Sequence, residues 1–183
     1  MLKKIINWFR GDMSALVLYK KIVEQALNPL YFTDMGVEDS VTGRFESIVL
    51  QLFLISNRLV ADEGHKSHRI RALQEAFIMD MDRNLREMGV GDMSVGKQIK
   101  KMAAGWFGTA KAYEKALMSD TRAAEVEEVL INNLYRNKPE VPSAKMAAHV
   151  VALADHLKTV TVDQLYQENF SYPPFNNNSD TLI

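Results

Sequence analysis

The chain has 183 residues, 47% of them hydrophobic, with 22 Lys and Arg against 23 Asp and Glu. That length supports one domain with its own core, and the near-neutral balance leaves any electrostatic signal to local patterning. There is no cysteine, which excludes disulfides, thiolate catalysis and zinc–sulfur sites and suits a reducing compartment.

The first residues, MLKKIINWFR, place Leu2, Ile5, Ile6 and Phe9 on one helical face and Lys3, Lys4, Asn7 and Arg10 on the other. No apolar run of secretory length follows, and no later stretch reaches the roughly 18 apolar residues of a membrane span. One reading is an interfacial helix over 1–10 touching the membrane through Leu2, Lys3, Lys4, Ile6, Trp8 and Phe9. The other is a helix docked on the core. A helix near 13–27 then stops at Asn28–Pro29. The stretch LYFTDMGVEDS reads as a loop leading to a helix near 42–60, whose SIVLQLFLI is apolar nearly all round and therefore central.

Next, Ile70, Leu73, Phe77, Met81, Leu85 and Met88 are spaced 3, 4, 4, 4 and 3 apart, one face of a long amphipathic helix. Gly89 follows as its left-handed terminator, with Val90 packing back on Leu85. Asp92 or Ser94 can cap the following helix, near 94–118. Gly91 to Gln98 spells G-x-x-x-x-G-K without the hydroxyl that would hold magnesium, and it follows a helix instead of a buried strand. This is a helix corner and not a P-loop. Asp120 caps a helix to about 137, ended by Pro139; Ser143 opens another through Met146, Val150, Leu153, Leu157 and Val160; Thr161 caps a last short one to about 168. Residues 169–183 read as a flexible tail behind a helical domain over 11–168. The expected fold is all-α, a compact single domain of about seven to eight helices.

Catalytic constellations are thin. Asp80 and Asp82 would point about 200° apart on a helix, so they flank the apolar stripe as solvated or paired residues. His65 and His68 have no carboxylate nearby to complete a ligand set, and His149 and His156 beside Asp155 read as surface. No E-x-x-H pair marks a di-iron bundle. The reading is of a non-enzyme with no cofactor and no metal.

The helix after the corner carries more. Val95, Ile99, Met102, Trp106, Ala110, Tyr113 and Leu117 form a core stripe, and Lys97, Lys100, Lys101, Lys111 and Lys115 all fall within about 60° of the opposite pole. No acidic residue occurs between Met93 and Tyr113. This face is either solvated or a basic partner site. Ala104, Gly108 and Ala112 add a small-residue strip that admits a neighbouring helix, for which internal packing is the expected use.

DMDRNLREMGVGD (Asp80–Asp92), followed by Val95, Gly96, Lys97, Lys101, Met102, Ala103, Phe107, Gly108, Ala112 and Tyr113, resembles the signature of the ubiquinol–cytochrome c chaperone family. GRFE, Gly43 to Glu46, is similar too, while Thr109 stands where the family pattern has a basic residue. The resemblance covers about residues 38–118 and implies an assembly chaperone that stabilises cytochrome b during complex III biogenesis. A chain of this length without a transit peptide looks like a bacterial member. Candidate partner positions are then Asp80, Asp82, Arg83, Arg86, Met88, Gly89, Asp92, Trp106, Phe107 and Tyr113. The implied partners are cytochrome b or another membrane-protein client, with an anionic membrane surface or the ribosome nearby. No DNA or nucleotide is expected. The implied location is the cytoplasm, peripheral to the inner face of its membrane. The alternative reading is a helical lipid- or quinone-binding protein with a Met- and aromatic-rich interior. Removing residues 1–10 tests the interfacial helix: flotation with anionic liposomes should be lost and helicity retained, whereas unfolding would identify a docked helix.

Overall fold

The computed structural model describes residues 13–138 and 140–175, so the N-terminal helix expected over 1–10 and the terminator Pro139 lie outside the described residues. Eight helical segments and no strand are found among them: α1 (Met13–Ala26), α2 (Pro29–Thr33), α3 (Val41–Glu63), α4 (His68–Glu87), α5 (Asp92–Leu117), α6 (Arg122–Asn133), α7 (Ser143–Thr159) and α8 (Val162–Leu165). The chain is all-α.

The stretch from Ser47 to Ser56 on α3 is buried at every position. A helix apolar all round can only sit in the middle, and α3 accordingly packs against α1, α4, α5, α7 and α8. Ser40 starts it, its Oγ accepting from the Gly43 N–H at 3.2 Å. Gly43 is sterically required, because a Cβ there would lie 2.0 Å from the Glu38 carbonyl oxygen.

The stripe of α4 is buried at Ile70, Leu73, Phe77, Met81 and Leu85. Met88 departs from the expected pattern: it stands beyond the helix end and is exposed. Gly89 has φ +82°, its N–H donates to the Arg86 carbonyl at 3.0 Å, and the Val90 N–H donates to Leu85 at 3.0 Å. This is the full Schellman ending read from the sequence. The next helix begins two residues earlier than expected, with Gly91 as its N-cap and no side-chain cap. Asp92 is not a cap; its carboxylate pairs with Arg86 across the corner.

Three further differences have local causes. Pro29 does not merely stop α1; it opens the short helix α2, where a missing N–H is harmless, with Asn28 Oδ1 accepting from the Leu30 N–H at 3.1 Å. At the other side of the fold, α6 ends at Asn133 and not near 137, because the backbone turns left-handed at Arg136 and Asn137. Thr121, not Asp120, sits at its N-cap. Finally, α8 ends at Leu165, with a Thr161–Gln164 capping box.

Residues 169–175, the start of the segment read as a tail, lie along the domain with Phe170, Tyr172 and Phe175 packed on the core. Lys21 Nζ donates to the carbonyls of Gln167, Glu168 and Phe170 at 2.8, 2.7 and 2.9 Å, closing the C-terminal end of α8.

Two glycines therefore have different stability roles. Gly89→Ala should cost about 1 kcal/mol through left-handed strain alone, its Cβ meeting open space. Gly43→Ala should cost more, about 2 kcal/mol or above, from the backbone clash. Urea midpoints equal to the parent's would contradict both assignments.

Candidate functional site

The residues singled out in the sequence separate into three physical groups. The first group ties the α4–α5 corner. Asp80 accepts from the Tyr19 hydroxyl at 3.0 Å and pairs with Arg83, and burial with the neighbouring Asp80 charge raises the Tyr19 pKa. Arg86 grips Asp82 with two nitrogens, at 2.6 and 3.2 Å, and reaches Asp92 beyond Gly89. Each aspartate of the pair thus carries an arginine. The hydrogen bonds and charge of Asp82 and Asp92 hold the Arg86 guanidinium protonated. Of these contacts the Arg86–Asp92 pair spans the corner, while Asp80 ties α4 to α1 through Tyr19.

The second group is core. Trp106 is buried with its ring 5.8 Å from Phe77, and Tyr113 is buried and stacked on Phe53 at 5.4 Å. Glu46, from the GRFE stretch, is half-buried near Tyr113; burial raises its pKa, and the Arg136 charge opposes the rise.

The third group faces out. Lys97, Lys100, Lys101, Lys111 and Lys115 are all exposed, and none has an ion pair or hydrogen bond among the described residues. Phe107 (59% exposed) stands on the same helix, as do Met93 and Met118, which are 100% and 76% exposed, and Met88 is exposed at the end of α4. Sequence reading missed the two α5 methionines, although at about 100° per residue they fall within the lysine arc.

Among the described residues, nothing packs closely on the glycines of the small-residue strip. Ala104 and Gly108 are exposed, and a Cβ added at Gly105 or Gly108 would meet nothing within 4 Å. A mid-helix glycine costs about 1 kcal/mol relative to alanine, and no close contact among the described residues compensates it. Beside Gly108 lies a shallow groove of about 530 Å³, lined by Gly108, Lys111, Ala112, Glu114, Lys115 and Met118 and borne entirely on α5.

His65 and His68 are exposed at the start of α4. His149, expected at the surface, is turned inward. Its Nε2 lies 3.0 Å from the Tyr31 hydroxyl, and its ring stacks on Phe175 at 4.5 Å. Gln51 and Gln25 donate to the Tyr31 oxygen at 2.7 and 3.4 Å, so the hydroxyl proton points at Nε2, which must be the unprotonated nitrogen. The one signal for this cluster was Gln51, a polar residue within the apolar run of α3.

With the geometry in place, the comparisons assign the class. The chain belongs to the ubiquinol–cytochrome c chaperone family, whose model matches residues 33–172. A solved structure, that of the Cbp3 homolog from Brucella abortus, superposes with a TM-score of 0.77 at 26% identity, over 95% of this chain and 97% of that one. No curated protein matches the chain. The family span includes the α4–α5 corner, all of α5 and α7.

Burial pushes the His149 pKa down to about 4 from 6.5. The unfolded chain therefore binds the extra proton first. The stabilising contribution is complete above pH 6.5 and is lost as pH falls from 6.5 to about 4, on the order of 3 kcal/mol in all. His149→Gln keeps an acceptor for Tyr31 and removes the titration. Chemical denaturation across this window should show a shallower loss for the variant; identical slopes would place His149 in solvent.

Proposed function

We propose that the chain is an assembly chaperone for a membrane cytochrome, cytochrome b as the family resemblance implies, and that it works by holding its client without chemistry. The carrying observation is the outer face of α5: five unpaired lysines, exposed Phe107, Met93 and Met118, and a bare stretch of backbone between the lysines. A folded chain gains nothing from this combination, because glycine weakens the helix and apolar side chains in water carry no benefit. Local rules broken without compensation among the described residues point to use by a partner.

The face suits an incompletely assembled membrane protein. Phe107 and the methionines cover apolar segments, with methionine adapting to varied shapes. The lysines attract acidic loops or the anionic head groups around the client. In this reading Asp82, Arg86, Gly89 and Asp92 act indirectly, by shaping the corner into α5, Asp80 and Arg83 by holding α4 against α1, and Trp106 and Tyr113 by anchoring the inner side of α5. Met88, exposed at the corner, extends the apolar part of the surface. No described helix is long and apolar enough to cross a membrane, so the account puts the protein peripheral to the membrane, at the cytoplasmic face where a new cytochrome emerges.

Complementation tests this directly. Replacing Lys97, Lys100 and Lys101 with glutamate touches no core position, so stability should change by less than about 0.5 kcal/mol. In a strain lacking the gene, this variant should restore markedly less cytochrome b than the parent chain, with spectra of membranes as the readout. A folded variant that restores parental levels would show a merely solvated face.

A further inference from the structure

The same outer face carries information about the shape of what binds it, and this step rests on the reading of α5 as the client surface. The lysines form two groups along the helix: Lys97, Lys100 and Lys101 before the bare stretch, Lys111 and Lys115 after it. From Lys101 to Lys111 the rise is about 15 Å at 1.5 Å per residue. Between them, Ala104, Gly105 and Gly108 present backbone to solvent, with nothing within 4 Å of a Cβ added at either glycine. Phe107 stands at one edge.

We propose that this gap seats an α-helix of the client, crossing α5 over Gly108, with acidic side chains on both of its flanks reaching the two lysine groups. The dimensions agree, since a helix with its side chains is about 10–12 Å across. Absent side chains at the crossing point let two helix backbones approach closely, as at small-residue helix contacts. The spacing of Ala104, Gly108 and Ala112 follows the four-residue rows into which a partner helix's ridges fit. Phe107 covers the apolar side of the seated helix, the arrangement of helix-in-groove recognition.

Other occupants fit less well. A lipid surface would use the lysines and methionines, but it gains nothing from missing side chains at 105 and 108. A second copy of this chain would bring lysine against lysine. Charge selects an acidic helix.

The experiment uses the full chain and a fluorescent synthetic helix with leucine and alanine on one face and glutamates along both edges of that face. The controls are the same peptide with lysine for glutamate, and vesicles of phosphatidylcholine with phosphatidylglycerol. The parent should bind the acidic helix at least about tenfold more tightly than its lysine counterpart, a difference that added salt shrinks. Gly108→Leu should raise the thermal midpoint, because leucine is the better helix former and has open space. It should also weaken the acidic helix at least about tenfold and leave vesicle binding unchanged. A Gly108→Leu chain that binds the peptide like the parent overturns the proposal. So does a parent that binds vesicles and neither peptide, or one that self-associates through this face by sedimentation. Loss of complementation by the glutamate triple variant alongside any of these results would leave the client reading standing with a different occupant. Retained complementation would remove both.

Discussion

The fold depends on the burial of α3. Ten consecutive positions, Ser47 to Ser56, are withdrawn from water, so neighbours must surround this helix on every side. The other helices supply that cover with one apolar stripe each and have an outer face left over. On most of them the leftover charge is balanced. Lys20 faces Glu24 on α1, Arg86 faces Asp82 on α4, and Asp155 on α7 takes both Arg122 and Lys158. The face of α5 is the departure, carrying five lysines with no ion pair among the described residues, Glu114 at the groove's edge notwithstanding, and glycines without close neighbours.

Polar groups inside the fold show how tightly α3 constrains its surroundings. Gln51 on α3 meets Tyr31 of α2, which meets His149 of α7, which stacks on Phe175 beyond α8. One hydroxyl thus joins four parts of the chain. Buried hydrogen bonds of this kind are costly to half-break, and the Tyr31 and His149 rings they fix are the surface on which Phe175 packs. At the corner, the Gly89 turn and the Asp82–Arg86–Asp92 bridge lead into α5, whose Tyr113 and Trp106 meet Phe53 and Phe77 while its lysines face water.

Much of this was legible because it is local. A period of three and four residues identifies a core stripe wherever one face is buried, and α4, α5 and α7 follow it. Gly89 was legible because few residues other than glycine tolerate the conformation a Schellman ending needs. The helix α2 was not, since Asn28–Pro29 spells an end and a beginning equally well and only the Asn28 cap decides. His149 was misread for a related reason: the residues around it in sequence are ordinary, and its partners Tyr31 and Phe175 are distant in the chain. The small-residue strip on α5 had the right position and the wrong use. Spacing alone shows that a helix can be approached closely there, and only the surrounding structure shows that none of the described residues does so. The partner roles of Lys97 to Lys115 belong to the functional proposal, and the membrane contacts of residues 2–9 lie outside the described residues.

On the proposed reading, the constraint lies elsewhere than in an enzyme. An enzyme places a few groups within a fraction of an ångström, whereas this fold presents one helix face that no described residue covers. The claim is therefore about location. A photoactivatable amino acid installed at Phe107, in a chain expressed while cytochrome b is being made, should cross-link newly synthesised cytochrome b. The same group at Val41, equally open to solvent at the start of α3 (69% exposed), should not. Cross-linking from Val41 and none from Phe107 would contradict the account.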